Sequence, residues 1–336
     1  SELNNSTPAH IHIQNIQDKN YSSLELIQQT LKFLHNQEDK LNAYINILDD
    51  YALARAKYVD EQISSGKKLP LAGVPIAVKD MLALKNHPTT AGSKTLENFS
   101  PTYNSTVVNK LEDAGAIIIG KTSCDEFAMG SSNEYAFTGP AHNPWDISRV
   151  PGGSSGGSAA TVAARGVAWS IGTDTGGSIR QPASFNGIYG MKPTYGRVSR
   201  FGVVAFASSL EQVGPMAHNV YDLALLMHTI AGHDKNDSTT LNVDVPKYHE
   251  ALDSNVKGLK IAIPANIYEG INDEIAEKIQ SAIELYKKNG ADITENVEIN
   301  SWQSALPAYY LIAPSEASAN LSRYDGFRYG LAKLDE

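Results

Sequence analysis

The residues best suited to chemistry lie between Gly152 and Ser178. This segment opens with Gly-Gly-Ser-Ser-Gly-Gly-Ser at 152–158 and closes with Gly-Thr-Asp-Thr-Gly-Gly-Ser at 172–178. Glycine lets backbone N–H groups approach a ligand closely, and serine supplies hydroxyl groups. A small-residue helix predicted at 159–164 and an apolar strand predicted at 167–171 separate the two clusters. We therefore expect several serines and a group of amides to share one pocket.

Three interpretations of this segment are open on the residues alone. A flexible linker is disfavoured by the apolar residues between the clusters and by Asp174 and Arg180. A phosphate-binding loop is disfavoured because no lysine precedes the final hydroxyl of 172–178. A nucleophile at Ser155 matches the G-x-S-x-G pattern, which glycine-rich segments also produce by chance. That nucleophile requires a histidine, and no downstream histidine has a distinctive neighbourhood: His218, His228, His233, His249.

An apolar strand predicted at 71–78 ends in Lys79. A lysine there is either an ordinary charge at the end of a strand or the base that a serine nucleophile needs. As a base it must be neutral, and its reference pKa is about 10.4. Neutrality at pH 7 therefore requires a fall of more than ~3 pH units, or about 4 kcal/mol. Burial causes shifts of that size, so we expect Lys79 to be hidden from solvent.

Alternating helices and strands predict an α/β fold. A helix at 105–114, with Ser105 as its N-cap and Gly115 after it, precedes an apolar strand at 116–120. The same order of helix, glycine and strand occurs again between residues 259 and 293, where another predicted strand precedes the helix. Ahead of them, a capping box at Ser22 and Glu25 predicts a helix. We expect residues 1–66 to form a helical region packed on a core of residues 67–336.

Composition excludes several classes of protein. The net charge is −9 and no run of Lys and Arg occurs, which disfavours a direct grip on nucleic acid. Cys124 is the only cysteine, so no internal disulfide forms. No apolar run approaches the roughly 18 residues of a membrane span, and the N-terminus lacks an apolar signal core. We expect a cytoplasmic protein with no membrane contact.

Several of these residues resemble the amidase signature family. Residues 152–158 and 174–183 resemble its signature, and Lys79 stands where the family has its catalytic lysine. The resemblance implies a mixed, largely parallel central sheet covered by helices on both faces. It also implies a Ser–cisSer–Lys triad, with Ser178 as nucleophile, Ser154 as bridging serine and Lys79 as base. The expected core lacks the C-terminal portion of the family's fold.

Further segments are similar to the A-subunit family of glutamyl-tRNA(Gln) amidotransferases: 125–132, 143–146, 191–202, 204–210 and 315–318. This resemblance implies an oxyanion hole formed by the amides of Thr175, Gly176, Gly177 and Ser178. It also implies a set of substrate-binding residues, with no metal ligand in this chain. That set is Met129, Gly130, Ser131, Asp174, Tyr309 and Tyr310.

The activity implied by this resemblance is that of glutaminyl-tRNA synthase (glutamine-hydrolysing). The chain would hydrolyse glutamine and supply ammonia to a partner, the B subunit, which converts Glu-tRNA(Gln) to Gln-tRNA(Gln). No cofactor is expected in this chain, whereas ATP and Mg²⁺ are expected in the B subunit. A third chain, the C subunit, would complete a heterotrimer.

Two other functions remain open. The first is a stand-alone amidase that uses the same triad on small amides. The second is a non-catalytic assembly subunit. The family's C-terminal portion supplies an arginine and an aspartate that hold the α-groups of glutamine, and these would lie beyond Glu336.

Overall fold

A computed structural model describes residues 3–332. The chain divides into two compact units. The larger one runs to His249 and resumes at Ala313, and the smaller one covers Glu250–Ile312. Residues 3–66 belong to the larger unit, and the predicted boundary after residue 66 stays a prediction.

A mixed six-stranded sheet forms the centre of the larger unit, in the order β1-β3-β2-β4-β6-β5. Strands β2 and β3 are parallel, as are β2 and β4, whereas β1, β6 and β5 join through antiparallel pairs. Strands β2, β3, β4 and β5 therefore run in one direction, which confirms the largely parallel mixed sheet. The strands are β1 Tyr44–Ile47, β2 Pro75–Lys79, β3 Ile117–Thr122, β4 Trp169–Asp174, β5 Tyr189–Gly190 and β6 Gln212–Ala217.

Helices flank this sheet, which confirms the predicted α/β class. In the larger unit they are α1 Ala9–Gln17, α2 Ser23–Leu41, α3 Asp49–Ser64, α4 Thr106–Asp113, α5 Gly156–Ala163, α6 Arg180–Asn186 and α7 Val220–Ile230. The predicted capping box is present, because Ser22 accepts from the Glu25 amide and the Glu25 carboxylate accepts from the Ser22 amide. Ser105 caps α4 in the same way, through the amide of Val108.

The four central strands β3, β2, β4 and β6 are buried at every residue. Strands of a parallel sheet covered on both faces are expected to be apolar throughout, which explains the continuous apolar runs of β2 and β3. Polar residues inside such strands must find partners within the protein. Lys79, at the end of β2, is one of them.

The predicted helical N-terminal region also contains one strand, β1. It lies between α2 and α3 in the sequence and forms one edge of the sheet, where it pairs antiparallel with β3 and Tyr44 lies opposite Thr122. The Tyr44 hydroxyl bonds Thr161 of α5, so this strand ties the first two long helices to the sheet.

The smaller unit contains β7 Lys260–Pro264, α8 Asp273–Lys288 and β8 Asp292–Val297, with the two strands parallel. This order confirms the predicted strand, helix and strand of residues 259–293. Helix α9, Trp302–Leu321, continues from this unit into the larger one after Ile312. None of the helices within residues 3–332 is long and apolar enough to cross a lipid bilayer.

Candidate functional site

The candidate site lies where two neighbouring parallel strands end. Lys79 is the last residue of β2, and Thr173 is the last but one of β4. The carboxyl ends of adjacent parallel strands meet at the same edge of a sheet, the usual place for a ligand site in an α/β fold. The two glycine- and serine-rich segments lie at this edge. The first runs into α5, which begins at Gly156, and the second continues from the end of β4 into the turn after Asp174.

Lys79 is fully buried, as its proposed chemistry requires. Its Nζ lies 2.6 Å from Ser154 Oγ, 3.0 Å from Ser155 Oγ and 2.8 Å from Thr173 Oγ1. The predicted burial and the predicted contact with Ser154 are both confirmed. Within the described chain no carboxylate forms an ion pair with Lys79. The amine is therefore held by hydroxyl groups, which accept from it without fixing its charge.

Burial lowers the pKa of Lys79 to about 8, although nearby charges, Cys124 and Glu211 foremost, oppose the shift. A desolvated ammonium is unfavourable, and neutral hydroxyl partners compensate it less than a carboxylate does. With a pKa near 8, about a tenth of the molecules carry a neutral amine at pH 7. Lys79 is thus able to accept a proton near neutral pH.

Hydrogen-bond partners distinguish Ser155 from the other two hydroxyls around Lys79, because among residues 3–332 only Ser155 Oγ bonds groups besides the amine. Ser155 Oγ donates to the Thr173 carbonyl at 3.0 Å and accepts from the Thr173 amide at 3.2 Å. Its proton is therefore engaged, and toward Lys79 it acts as an acceptor. Ser154 Oγ has no further partner among residues 3–332. The Ser154 hydroxyl is consequently free to donate to a neutral Lys79 and to accept from another hydroxyl.

The backbone before Ser154 is closely packed, and the Gly153–Ser154 peptide bond is cis, as the family resemblance implies. A Cβ at Gly153 would lie 2.1 Å from Asp125 Oδ2 and 2.9 Å from the amide of Asn133. Such contacts are far below van der Waals distance, so only glycine fits here. Close packing at Gly153 fixes the path of the chain into Ser154.

Ser178 lies in the turn between β4 and α6 and is 8% exposed. Its carbonyl accepts from the Ser155 amide at 3.1 Å, which places its backbone beside the start of α5. The two serine-bearing segments, separated by residues 159–171 in the sequence, are thus directly bonded to each other. The two segments therefore lie side by side, and the pocket expected between them stays a prediction.

The Asp174 carboxylate organises the turn around Ser178. It accepts from the amides of Gly177 at 2.9 Å and Ile179 at 3.1 Å, and Arg180 donates two bonds from its guanidinium. Burial alone raises the pKa of Asp174, but the bonds from Arg180 and the amides outweigh it and hold the pKa below the ordinary value. A charged carboxylate therefore fixes the amides on both sides of Ser178.

These bonds bear on two predicted roles, both of which stay predictions. Asp174 was expected to bind substrate, but it is fully buried and its oxygens are engaged by the turn itself. Gly177 was expected to contribute to an oxyanion hole, but its N–H points to Asp174. The remaining predicted amides, those of Thr175, Gly176 and Ser178, have no acceptor within residues 3–332. The physical reason is that a carboxylate at the end of β4 reaches the turn that follows it.

The loop of Met129, Gly130 and Ser131 is exposed and lies beside the site. A Cβ at Gly130 would lie 2.4 Å from Asp125 Cγ, and Asp125 also contacts Gly153. The Ser131 carbonyl accepts from Gln181 at 2.8 Å. The predicted substrate-binding loop is therefore near Ser154 and α6, and its contact with substrate stays a prediction.

Tyr309 and Tyr310 lie in the smaller unit, on α9, where their rings pack edge to face at 5.6 Å. Tyr310 is 64% exposed. Their assignment to the substrate pocket stays a prediction. Within residues 3–332 no group of three or more His, Cys, Asp or Glu side chains is arranged to hold a metal ion.

Sequence reasoning missed Thr173 as the third partner of Lys79. The sequence disfavoured Ser155 as nucleophile only through a weak pattern and the lack of a suitable histidine, and burial adds a direct reason. Ser155 is fully buried with its hydroxyl engaged on three sides, so it cannot meet a substrate.

Glu211 is a buried acid whose charge acts on Lys79. It is 2% exposed, and its Oε1 has no hydrogen-bond partner within the described chain. The other carboxylate oxygen accepts from the Phe206 amide at 3.3 Å. Burial raises the pKa of Glu211 to about 7, with Lys79 among the charges that oppose this rise. The charge of Glu211 and the charge of Lys79 are therefore linked.

Known proteins match most of this chain. The family model described as Amidase matches residues 25–336. The A subunit of a glutamyl-tRNA(Gln) amidotransferase from Coxiella burnetii is 52% identical over 318 residues, 94% of this chain and 66% of the relative. The chain therefore spans just under two thirds of that relative's length.

Solved structures show the same fold. The A subunit of a glutamyl-tRNA(Gln) amidotransferase from Thermotoga maritima matches with a TM-score of 0.85 and 39% identity, over 96% of this chain and 68% of that one. A peptide amidase from Stenotrophomonas maltophilia matches with a TM-score of 0.86 and 32% identity, over 95% of this chain and 67% of that one. The site described above thus lies in a fold shared by amide-processing proteins.

Proposed function

Because the chain belongs to the amidase signature family, we propose that it is the glutaminase subunit of a tRNA-dependent amidotransferase. The observation that carries the proposal is the buried Lys79 amine, 2.6 Å from a serine hydroxyl that has no other partner within residues 3–332. Such an arrangement activates a serine without a histidine. Similarity to the A subunits of glutamyl-tRNA(Gln) amidotransferases supports glutamine as the amide that is hydrolysed to release ammonia.

The first half of the reaction forms an acyl-enzyme. Ser178 Oγ attacks the side-chain carbonyl carbon of glutamine and passes its proton to Ser154, which passes its own to neutral Lys79. The carbonyl oxygen becomes an oxyanion that the amides of Thr175, Gly176 and Ser178 stabilise. One well-placed donor contributes roughly 2.7–4 kcal/mol to such a transition state.

Collapse of this intermediate breaks the bond between carbon and nitrogen. The proton held by Lys79 returns through Ser154 to the leaving nitrogen, which departs as ammonia. Water then attacks the ester carbonyl and loses its proton to Lys79 by way of Ser154. The bond between the carbonyl carbon and Ser178 Oγ breaks, this oxygen regains the proton through Ser154, and glutamate leaves. Each proton taken up by Lys79 is given back, so the site is restored after every turnover.

The ammonia is delivered to the B subunit, which uses ATP and Mg²⁺ to convert Glu-tRNA(Gln) to Gln-tRNA(Gln) in the cytoplasm. The C subunit completes the heterotrimer. The net charge of −9 supports a division in which another chain holds the tRNA. This chain contributes the amide hydrolysis and no cofactor.

The test is reconstitution with the B and C subunits. We expect glutamine to be consumed with equal release of glutamate, and Gln-tRNA(Gln) to form only when glutamine or ammonium, ATP and Glu-tRNA(Gln) are present. Ammonia release and aminoacyl-tRNA analysis provide the measurements. A wild-type complex that leaves glutamine intact while it hydrolyses another amide would contradict the proposal.

A stand-alone amidase is the second candidate, supported by the structural match to a peptide amidase. It requires the same three residues and no partner. Rapid hydrolysis of simple aliphatic or peptide amides by this chain alone, with no stimulation by the B and C subunits, would favour it. Glutamine hydrolysis that depends on the partners favours the glutaminase.

The acid side of the pH profile is expected to depend on Glu211. Activity should fall as the pH drops through about 8, because Lys79 takes up a proton there. The nearby carboxylate raises the pKa of Lys79, so Glu211→Gln should move this acid limb to lower pH. We expect a displacement of up to about one pH unit, since one unit corresponds to ~1.4 kcal/mol.

The measurement is kcat/KM for glutamine between pH 6 and 9. Glu61→Gln, the same change at an exposed position of α3, is the control and should leave the profile in place. Superimposable profiles of wild type and Glu211→Gln would show that this carboxyl does not influence the base.

A further inference from the structure

A side chain outside the proposed triad joins three segments of the site. Gln181 is the second residue of α6, three positions after Ser178. Its Oε1 accepts from the Gly153 amide at 3.0 Å, and its Nε2 donates to the Ser131 carbonyl at 2.8 Å. One carboxamide therefore connects the segment that carries Ser154, the exposed loop that ends at Ser131 and the helix that follows Ser178.

The chain leaves little room for another arrangement around this carboxamide. A Cβ built at Gly152 would lie 2.3 Å from Gln181 Oε1 and 3.0 Å from Pro182 Cα. Gly152 has φ +80°, a conformation that L side chains rarely adopt. The backbone that enters Ser154 thus passes directly over the Gln181 side chain, which limits the positions that this backbone can take.

Both contacts need an amide. A side chain at this position must accept from Gly153 and donate to Ser131 at the same time, and a carboxamide has one acceptor oxygen and one donor nitrogen for these tasks. A carboxylate accepts but does not donate, and an aliphatic side chain does neither. A carboxylate at this position therefore removes the Ser131 contact alone, whereas an aliphatic side chain removes both contacts.

We propose that Gln181 is a positioning residue that aligns the bridging serine and the Met129–Ser131 loop with Ser178. The inference rests on the proposed glutamine hydrolysis and names the side chain that sets its geometry. The bond to Gly153 holds Ser154 in place and thereby supports turnover. The bond to Ser131 holds the loop expected to contact substrate and thereby supports binding.

The test compares Gln181→Glu with Gln181→Leu in the complex with the B and C subunits. Gln181→Glu keeps the acceptor for Gly153 and loses the donor to Ser131, so we expect KM for glutamine to rise about tenfold with kcat nearly unchanged. Gln181→Leu loses both contacts, so kcat should also fall by about tenfold or more. Gln28→Glu, the same change at an exposed position of α2, should behave as wild type.

A pH series separates alignment from a general loss of structure. Protonation of the carboxyl introduced by Gln181→Glu, whose reference pKa is about 4.3, restores a donor toward the Ser131 carbonyl. The ratio of the variant KM to the wild-type KM should therefore decrease as the pH is lowered from about 8 to about 5. A side chain with only a structural role would give a constant ratio.

Hydrogen–deuterium exchange tests the same inference without substrate. In Gln181→Glu the Gly153 amide should stay protected while residues 129–135 exchange faster, and in Gln181→Leu both regions should exchange faster. Unchanged exchange in both variants, or values of kcat and KM within twofold of wild type, would overturn the inference. If wild type does not hydrolyse glutamine, the proposed function fails, and the exchange result still decides whether Gln181 positions these segments.

Discussion

Replacing Ser178 by alanine is expected to reduce glutamine hydrolysis by at least about 10⁴-fold. Loss of the nucleophile in a serine hydrolase leaves only the contributions of the oxyanion hole and of substrate binding. The side chain is 8% exposed and the serine caps no helix, so the fold should be unaffected. Ammonia or glutamate release, measured with the B and C subunits present, gives the value.

Two controls accompany Ser178→Ala. With an ammonium salt in place of glutamine, the variant complex should still form Gln-tRNA(Gln), because that step takes place in the B subunit. The neighbouring substitution Ser155→Ala should retain turnover, reduced by about tenfold or less, since it removes one buried acceptor of Lys79. If Ser155→Ala were inactive and Ser178→Ala active, the nucleophile would be Ser155 and the proposed roles would be wrong.

Replacing Lys79 by methionine is expected to lower kcat by about 10²–10⁴-fold, the usual contribution of a general base. Methionine fills much of the same buried space but takes up no proton. The acid limb of the pH profile near pH 8 should also disappear, because Lys79 is the group that titrates there. A steady-state pH series on the reconstituted complex measures both effects.

Folding must be checked separately for Lys79→Met. The substitution leaves the hydroxyls of Ser154, Ser155 and Thr173 without one donor, but it also removes the cost of burying an amine. We expect the thermal midpoint to stay within a few degrees of wild type, together with normal assembly. A folded variant with more than a tenth of wild-type turnover would exclude Lys79 as the base.

The parts of the protein that the sequence alone determined are those governed by local rules. Capping by Ser22 and Ser105 depends on residues three positions away, so the starts of α2 and α4 were predictable. The apolar runs of β2 and β3 predicted buried strands, because a continuous apolar run is also a property of neighbouring residues in the sequence. The resemblance to a family then related Lys79, Ser154 and Ser178 to one another, which spacing did not do.

Tertiary structure decided the contacts between distant residues. Lys79 and Ser154 are 75 positions apart, and whether their side chains meet depends on which strands pair. The same holds for Gln181, whose partner Ser131 is 50 positions away, and for the pairing of β1 with β3. Local spacing could not reveal that the Gly177 N–H donates to the Asp174 carboxylate. From the sequence alone, the turn could equally have presented that N–H to a ligand.

The physical reason is the range of the interactions. Helix caps and strand periodicity involve neighbours along the chain, so residue types predict them. The pKa of Lys79 comes first from burial, and burial is a property of the packed fold rather than of the residues beside it. The sequence supplied the lysine and the serines, and only the packing of β2, β4 and α5 turned the lysine into an amine able to accept a proton.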